Sequence, residues 1–548
     1  MATMATATAH DEPHAARVAM DHKVHPGATI GFLLVLAAGL AFAGYSIFVD
    51  TQQVGETLAL GAFAFLGLAL LIALGFEFVN GFHDTANAVA TVIYTHSLKP
   101  VFAVIWSGCW NFIGVMTSTG AVAYTVITLL PVDLILNVGS AGGYAMIFAL
   151  LLAAVTWNLG TWWFGLPNSS SHALIGSILG VGLANQLLSG PGGTSGVEWS
   201  QATNVLLALL VSPVIGFGGS YLLLKLMKKV VPDPQLYAEP KGDAPPPKGI
   251  RALLIFTCTA VSFAHGGNDG QKGMGLIMLI LIGVAPTAYA LNRTMPDGST
   301  PKFVEAAAAA QSVFHTKSNG IAIAPDQANE TLRDALRTKK TDDPRVFAAL
   351  DTTSSQITAD LRSYGSIKHV PAAATKNLRN EMYVVYDTLR LMTKDEDKAK
   401  AAFPNGGDKV LRDYQKLLET GTRFIPPWVK ISVALALGLG TMIGWKRIVV
   451  TVGEKIGKTH LTYGMGAAAE LMAASTILLA QFKGMPVSTT HILSSGVAGT
   501  MVADGAGLQA STVRNIALAW VTTLPAAMAI AGVLYWVFLG GVHMMGMK

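Results

Sequence analysis

Long apolar runs separated by short polar stretches dominate this chain. A helix needs about 20 apolar residues to cross the roughly 30 Å of hydrocarbon in a bilayer. A β-barrel would show short alternating strands instead, and these runs are continuous. The pattern predicts an all-α polytopic membrane protein with about 10–12 membrane segments. The runs occupy 28–48, 58–79, 101–130, 143–164, the segment ending at 188, 205–226, 252–264, 274–291, 465–482 and 516–539.

Two pairs of polar motifs interrupt the apolar sequence in the same order. NGFHDTAN at 80–87 precedes GLPNSSSH at 165–172, and HGGNDGQK at 265–272 precedes GMPVSTTH at 484–491. The spacing from aspartate to glycine is 81 positions in the first pair and 215 in the second. Without the hydrophilic stretch 292–427, the second spacing falls to about 79, as expected for an internal repeat. We therefore predict two inverted-topology repeats with broken helices and re-entrant hairpins.

The charged residues mark the domain boundaries. Only 13% of the chain is charged and 51% is hydrophobic, whereas soluble domains are about a quarter charged. The net charge of +5 is small and lies in loops, so it indicates membrane orientation and not nucleic-acid binding. The predicted units are a disordered tail (1–26), a first membrane half (27–226, with its repeat from about 58), a cytoplasmic linker (227–250), the start of the second repeat (251–291), a soluble, largely helical and periplasmic insertion (292–427), and the remaining membrane helices (428–548).

Each repeat places an aspartate near hydrocarbon depth. An ionised carboxylate there costs several kcal/mol unless it meets a partner, an ion or water. Asp84 and Asp269 are surrounded by glycines, which permit unwound backbone with free carbonyl oxygens beside a polar cavity. Carboxylate, amide and carbonyl oxygens together suit Na⁺ or a proton-linked site. The alternative is a set of buried polar pairs that only fix helix packing.

Hydroxyl triplets follow Pro167 and Pro486, and proline suits the first turn of a helix. At a helix N-terminus, hydroxyls and free backbone N–H groups can donate to an oxyanion, aided by the helix dipole. Serine is also an ordinary N-cap, but two matched triplets, each followed by histidine, favour an anion site. The candidates are Ser169, Ser170 and Ser171 in the first repeat, and Ser488, Thr489 and Thr490 in the second. The residues thus point to a transporter with anion and cation contacts at mid-membrane.

At these motifs the chain resembles the PiT family of inorganic phosphate transporters, specifically the bacterial low-affinity type. TMIGWKR at 441–447 and GEKIG at 453–457 add to the likeness, which covers nearly everything outside 1–26 and much of 292–427. The resemblance implies uptake of orthophosphate across the bacterial inner (plasma) membrane, driven by an ion gradient. In bacterial members the coupling ion is usually H⁺ and the substrate a neutral metal–phosphate complex, for instance with Mg²⁺. Other branches use Na⁺.

The resemblance also implies roles for individual residues. Asp84, Asn87, Asn268 and Asp269 would hold the coupling cation. Ser169, Ser170, Ser488 and Thr489 would hold phosphate, with Ser171 and Thr490 close by, and Glu470 matches a family glutamate. Two departures, His83 before the first aspartate and Lys272 in place of a second asparagine, fit proton coupling better than a symmetric two-sodium site.

The sequence implies no catalytic residue, no cofactor and no fixed structural metal. The partners are phosphate and the lipid bilayer, not nucleic acid, and a homodimer stays open. Carriers of sulfate or another tetrahedral oxyanion would use the same hydroxyl chemistry, so they stay open as well. An intramembrane hydrolase is the remote alternative, because the chain lacks a nucleophile elbow and metal-ligand spacing.

Overall fold

The computed structural model describes residues 26–56, 58–84, 86–130, 132–136, 138–189, 196–240 and 242–544, without the side chains of 132 and 133. Throughout this part of the chain the regular structure is helical, with one isolated β-bridge and no strand, which confirms the all-α class. Apart from residue 26, the predicted N-terminal tail lies outside the described residues.

The helices fall into two membrane sets and one set between them. The first set is α1 Pro26–Gln53, α2 Leu60–Asp84, α3 Ala86–Tyr94, α4 Pro100–Thr117, α5 Ala121–Ile127, α6 Val132–Leu136, α7 Ala141–Trp163, α8 Ser170–Ser189 and α9 Trp199–Val230. The second set opens with α10 Lys248–Val284 and α11 Pro286–Tyr289, and resumes with α18 Pro427–Thr441, α19 Lys446–Glu454, α20 Tyr463–Phe482, α21 Thr489–Asp504 and α22 Ala510–Met544. Between them lie α12 Ser299–Lys317, α13 Pro325–Thr338, α14 Pro344–Tyr364, a 3₁₀ turn Ile367–His369, α15 Ala372–Thr393, α16 Glu396–Ala402 and α17 Gly407–Thr422.

Nine helical segments of the described chain are long and apolar enough to cross a membrane, with α2 and α3 counted as one. A tenth is reached if α17 and α18, bent by 70° at a short break, are counted as one span. Pro426 and Pro427 lie at this break, where proline ends one helix and starts the next. The number agrees with the predicted architecture.

The two membrane sets pack on each other reciprocally. α2 packs on α18 while α10 packs on α4, and α8 packs on α22 while α21 packs on α9. The contact of α2 with α18 is thus the equivalent of the contact of α10 with α4, and the contact of α8 with α22 is the equivalent of that of α21 with α9. This exchange of contacts is the pattern of a pseudo-two-fold axis. The first repeat has three spans, or five if both hairpin helices cross, so the second repeat starts on the opposite side. The repeats are inverted, as predicted.

Glycines bring the helices of opposite repeats into backbone contact at equivalent positions. Gly81 and Gly266 each lie three residues before the aspartate of their motif. A Cβ at Gly81 would clash with the carbonyl oxygen of Leu437, and a Cβ at Gly266 would clash with that of Asn111. Small residues permit this approach of membrane helices. The repeated contact fixes the register of both motifs against the other half.

One local expectation is wrong. The glycines of the second motif were expected to unwind the helix, but α10 is a continuous α-helix through the whole motif. These glycines serve packing instead: a Cβ would lie 2.6 Å from the side chain of Val115 at Gly270, and 2.8 Å from the carbonyl oxygen of Ala123 at Gly275. The α10 carbonyls therefore stay inside the helix, and cation ligands in this repeat must come from side chains.

The two ends of the segment between the membrane sets lie next to each other. The backbone N–H of Asn292 donates to the carbonyl oxygen of Gly421 at 2.8 Å, and the Asn292 side chain donates to that of Thr420 at 2.9 Å. Its helices bury their own apolar residues, among them Phe303 and Leu350. This arrangement lets an extra helical unit join the second repeat without disturbing the spacing of its membrane helices.

Substitution of a glycine at a helix crossing should destabilise the protein. A Cβ at Gly180 would clash with the backbone of Met528, so Gly180→Ala should cost about 1–3 kcal/mol and lower the melting temperature in detergent. Gly160→Ala is the matched control, because no atom lies within 4 Å of its added Cβ. Equal melting temperatures of the two variants would contradict the close-packing account.

Candidate functional site

Two helical hairpins bring the hydroxyl triplets together. The first tip joins α7 to α8, and the second joins α20 to α21. Ser169 and Ser488 cap these helices: the backbone N–H of His172 donates to Ser169 Oγ at 3.2 Å, and that of His491 donates to Ser488 Oγ at 3.1 Å. A hydroxyl that accepts as a cap still has its own proton to donate. Capping therefore does not exclude an anion-binding role.

Asp84 is held by both hairpins at once. Ser170 Oγ donates to Asp84 Oδ2 in a short hydrogen bond, and Thr490 Oγ1 donates to Asp84 Oδ1 at 2.8 Å. Asp84 is 3% exposed. One hydroxyl comes from each repeat, so a single carboxylate at the end of α2 links the two halves of the molecule.

A second pair of contacts repeats across the pseudo-two-fold axis. Asn87, three residues after the first aspartate, donates from Nδ2 to Thr490 Oγ1 at 3.2 Å. Lys272, three residues after the second aspartate, donates from Nζ to Ser171 Oγ at 2.5 Å. Ser171 and Thr490 are the last hydroxyls of their triplets. Each first-motif helix therefore contacts the hairpin of the opposite repeat, and the site lies at the axis.

The second aspartate carries a fixed positive partner. Lys272 Nζ lies 2.8 Å from Asp269 Oδ2, and His265 Nε2 lies 3.5 Å from the same oxygen. One ligand atom from each of Asp84, His265 and Asp269 falls within 4.8 Å of the others. The ammonium group of Lys272 contacts only one of these two carboxylates, that of Asp269, so the cluster can accept a proton or a cation without an excess of positive charge.

The hairpin tips touch each other. Ser171 Oγ donates to the carbonyl oxygen of Val487 at 2.8 Å. The rings of His172 and His491 lie 4.5 Å apart, and the ring of His491 stacks on Trp520 at 4.1 Å. The triplet hydroxyls are buried. The structure is therefore an occluded form of the site.

Three predicted residues lie around this centre in supporting positions. Asn268 Nδ2 donates to the carbonyl oxygen of Met485 at 3.1 Å. Its amide therefore holds the second hairpin. His83 Nδ1 lies 3.2 Å from Asp84 Oδ1. Thr489 follows the Ser488 cap, and its Oγ1 is buried with no hydrogen-bond partner among the described residues. Its hydroxyl is available to a ligand.

Glu470 lies apart from the hydroxyl cluster. Its Oε2 accepts a hydrogen bond from Thr257 at 2.5 Å. Thr257 precedes Asp269 by 12 residues on the continuous α10, about 18 Å along a helix at 1.5 Å per residue. A direct role for Glu470 at the two aspartates is therefore not supported by this arrangement, and its role in proton coupling stays a prediction.

The sequence-based site omitted Asn80 and Glu77. Asn80 Oδ1 lies 2.7 Å from Ser170 Oγ, so Asn80 and Asp84 are alternative acceptors for this one hydroxyl. Asn80 Nδ2 donates to Glu77 Oε2 at 3.4 Å. Glu77 is fully buried, and its Oε1 has no hydrogen-bond partner within the described chain. The signal was present, since Asn80 precedes its aspartate by four residues as His265 does in the second motif. Helical spacing of four places such residues on one face.

Comparison with known proteins decides the family. Residues 80–531 match the model of the phosphate transporter family, PHO4, which is most of the chain. The chain belongs to this family. It is therefore a transporter and not an enzyme, and its helices make it a multi-pass protein of the bacterial inner membrane.

Relatives in this family match over nearly their whole length. The chain is 40% identical over 506 residues to the low-affinity inorganic phosphate transporter PitB of Escherichia coli K12, covering 88% of this chain and 99% of PitB. Against PitA of the same strain it is 40% identical, covering 86% and 97%. A probable low-affinity inorganic phosphate transporter of Bacillus subtilis is 28% identical, covering 86% and 96%. A solved sodium-dependent phosphate transporter gives a TM-score of 0.48 at 21% identity, covering 86% and 98%.

The two aspartates should be indispensable to this phosphate transporter family member. Asp84→Asn and Asp269→Asn each remove a negative charge from the buried cluster, so each should abolish phosphate uptake by cells while the protein still inserts in the membrane. Asp504→Asn, at a partly exposed pair with Lys228, is the matched control and should transport normally. Normal uptake by both site variants would refute their assignment.

Ser170→Ala should weaken phosphate binding more than it weakens the fold. Loss of a hydrogen bond to a charged group costs about 1.5–3 kcal/mol, which corresponds to roughly a 10- to 150-fold rise in the half-saturating phosphate concentration. Ser177→Ala, on the same helix with its hydroxyl bonded to the carbonyl oxygen of Ala173, is the control. If half-saturation does not change in Ser170→Ala, the hydroxyl serves packing alone.

Proposed function

We propose that this family member imports inorganic phosphate by symport with H⁺. The observation that carries the proposal is the position of Lys272. Its ammonium group lies 2.8 Å from Asp269, at the place that Asn87 has beside Asp84. The fixed ammonium charge would repel a mobile cation beside Asp269. The second half-site, meaning Asp269 and its neighbours, therefore has no need of Na⁺.

Phosphate would bind between the hairpin tips. The three hydroxyls Ser170, Thr489 and Thr490 come from both triplets. Because α8 begins at Ser170 and α21 at Thr489, the free backbone N–H groups of two helix N-termini lie at the same triplets. In the occluded form Asp84 accepts hydrogen bonds from the hydroxyls of Ser170 and Thr490. An incoming phosphate would take these donors, so anion binding and the charge state of Asp84 are coupled.

A proton on Asp84 would remove the repulsion between its carboxylate and the bound phosphate. Phosphate carries one to two negative charges near pH 7, and an ionised Asp84 beside it would oppose binding in a buried site. Protonation of Asp84, with His83 3.2 Å away as the adjacent proton carrier, would remove the conflict. Phosphate could also enter as a neutral complex with Mg²⁺, since Asp84, His265 and Asp269 converge within 4.8 Å. In that case the metal is cargo.

Alternating access would follow from the inverted repeats. Hairpin tips that meet at the axis can separate on one face while they stay closed on the other. Lysine-rich segments 225–251 and 446–460 favour the cytoplasmic side, which puts the insertion 292–427 in the periplasm. Na⁺ coupling is the second candidate, because Asp84 and Asn87 offer oxygen ligands without a fixed cation. Transport of another tetrahedral oxyanion such as sulfate is the third.

Purified protein in liposomes tests the coupling ion. Phosphate uptake should follow an imposed pH gradient without Na⁺, because the second half-site already holds an ammonium group. Lys272→Asn, which restores the residue of the first motif, should make uptake depend on external Na⁺. Lys229→Asn, on the last turn of α9, is the matched control.

Two results would overturn the proposal. Uptake by the unmodified protein that needs Na⁺ and ignores the pH gradient would exclude H⁺ coupling. Inhibition of labelled phosphate uptake by sulfate as strongly as by unlabelled phosphate would widen the substrate to oxyanions in general.

A further inference from the structure

A continuous series of two arginine and three tyrosine side chains joins the insertion to the membrane half. Arg379 Cζ lies 4.9 Å from the centre of the Tyr383 ring, and that ring lies 6.4 Å from Tyr386. Arg423 Cζ lies 4.3 Å from the Tyr386 ring and 5.1 Å from the ring of Tyr124. Tyr124 belongs to α5 of the first repeat. We call these five residues the arginine joint.

Charges at the arginine joint do not balance. Arg423 pairs with Glu419 at 3.2 Å, and Arg390, one turn beyond the joint on α15, pairs with Asp387 at 2.6 Å. Arg379 lies within 4 Å of no carboxylate of the described residues; its Nη1 donates to the neutral side chain of Asn380 at 3.1 Å. Three guanidinium groups therefore face two carboxylates.

Arg379 is also buried. It is 5% exposed, and its Nε has no hydrogen-bond partner among the described residues. Burial, together with the nearby charge of Arg423, lowers the pKa of Arg379 to about 10, so it is still charged at neutral pH. The Tyr124 hydroxyl on the facing helix is likewise buried, with no hydrogen-bond partner in the part of the chain that the structure describes. Both unpaired donors lie at the same joint.

Energetics favour an additional partner for Arg379. Burial of an unpaired charge costs several kcal/mol even after relaxation, whereas a cation–π contact returns about 0.5–2 kcal/mol. A guanidinium group presents a planar fork of N–H donors that matches the oxygens of phosphate. A second guanidinium and a phenol hydroxyl nearby extend the donor set for a tetrahedral anion.

We propose that the arginine joint is a second oxyanion site, separate from the transport site, that binds a phosphate group through Arg379 and Arg423. Inorganic phosphate and a phospholipid headgroup share this chemistry. The joint lies close to the transport site through α5: the Val122 N–H donates to Gln271 on α10 at 3.0 Å. A Cβ at Gly484, on the second hairpin tip, would lie 3.2 Å from Ala121. Phosphate bound at the joint would fasten the insertion to the helix that supports this tip.

Hydrogen exchange with mass spectrometry on the full chain in detergent separates the two sites. Inorganic phosphate should slow exchange in peptides from 376–390 and 119–130 by about 10-fold or more as it approaches saturation. Peptides from 484–492 report the transport site in the same sample. Arg379→Met should lose the first protection and keep the second. Arg362→Met, at an exposed position on α14, is the matched control.

A parallel arm replaces inorganic phosphate with phosphatidylglycerol in mixed micelles. Protection at 376–390 by phosphatidylglycerol alone, lost in Arg379→Met, would support the site and identify a lipid headgroup as its ligand. Protection that survives in Arg379→Met would overturn the proposal. Absence of protection by either compound in the unmodified protein would also overturn it, and this result does not depend on the folding of any variant.

Discussion

The structure depends on one buried carboxylate that accepts hydrogen bonds from hydroxyl groups of both halves of the molecule. Ser170 reaches Asp84 from the first hairpin and Thr490 from the second. At hydrocarbon depth an ionised group is costly without such donors. The hydroxyls in turn need an acceptor, because buried polar groups must be paired. The two hairpins are therefore closed over Asp84, and any ligand that competes for the same hydroxyls weakens that closure.

The inverted repeats place equivalent residues at both hairpins, but the two repeats differ at one of these positions. Asn87 and Lys272 have equivalent positions, and each reaches the last hydroxyl of the opposite hairpin. An amide leaves the charge of Asp84 open to a mobile cation, whereas the ammonium group pairs with Asp269 permanently at 2.8 Å. The two half-sites therefore share a scaffold but differ in charge. In the mechanism that we propose, this difference in charge is the reason that a mobile cation binds on one side of the axis only.

Much of the fold and of the site could be predicted from the sequence, because the repeat carries its information in local motifs. The spacing of the two motif pairs predicted the inverted repeats, and Asp84 and Asp269 do converge. The unwinding of α10 was predicted wrongly, because glycine in sequence does not distinguish a flexible backbone from a close helix crossing. Gly270 serves the crossing with Val115.

Other parts depend on contacts distant in sequence and could not be predicted. Asn80 belongs to the site because its Oδ1 lies 2.7 Å from the hydroxyl oxygen of Ser170, 90 positions later. The insertion joins the membrane half through Arg423 and Tyr124, which no motif connects. The sequence indicated a soluble helical unit there, but the unpaired charge of Arg379 appears only when three elements pack together.

An experimental structure with bound phosphate tests the central claim most directly. The account predicts one phosphate between the hairpin tips, with oxygens about 2.5–3.2 Å from hydroxyls of both triplets, as hydrogen bonds require. Ser170 and Thr490 should then have turned from Asp84 to the anion. A phosphate contacted by only one triplet, or one bound while both hydroxyls still donate to Asp84, would contradict a site shared by the two repeats.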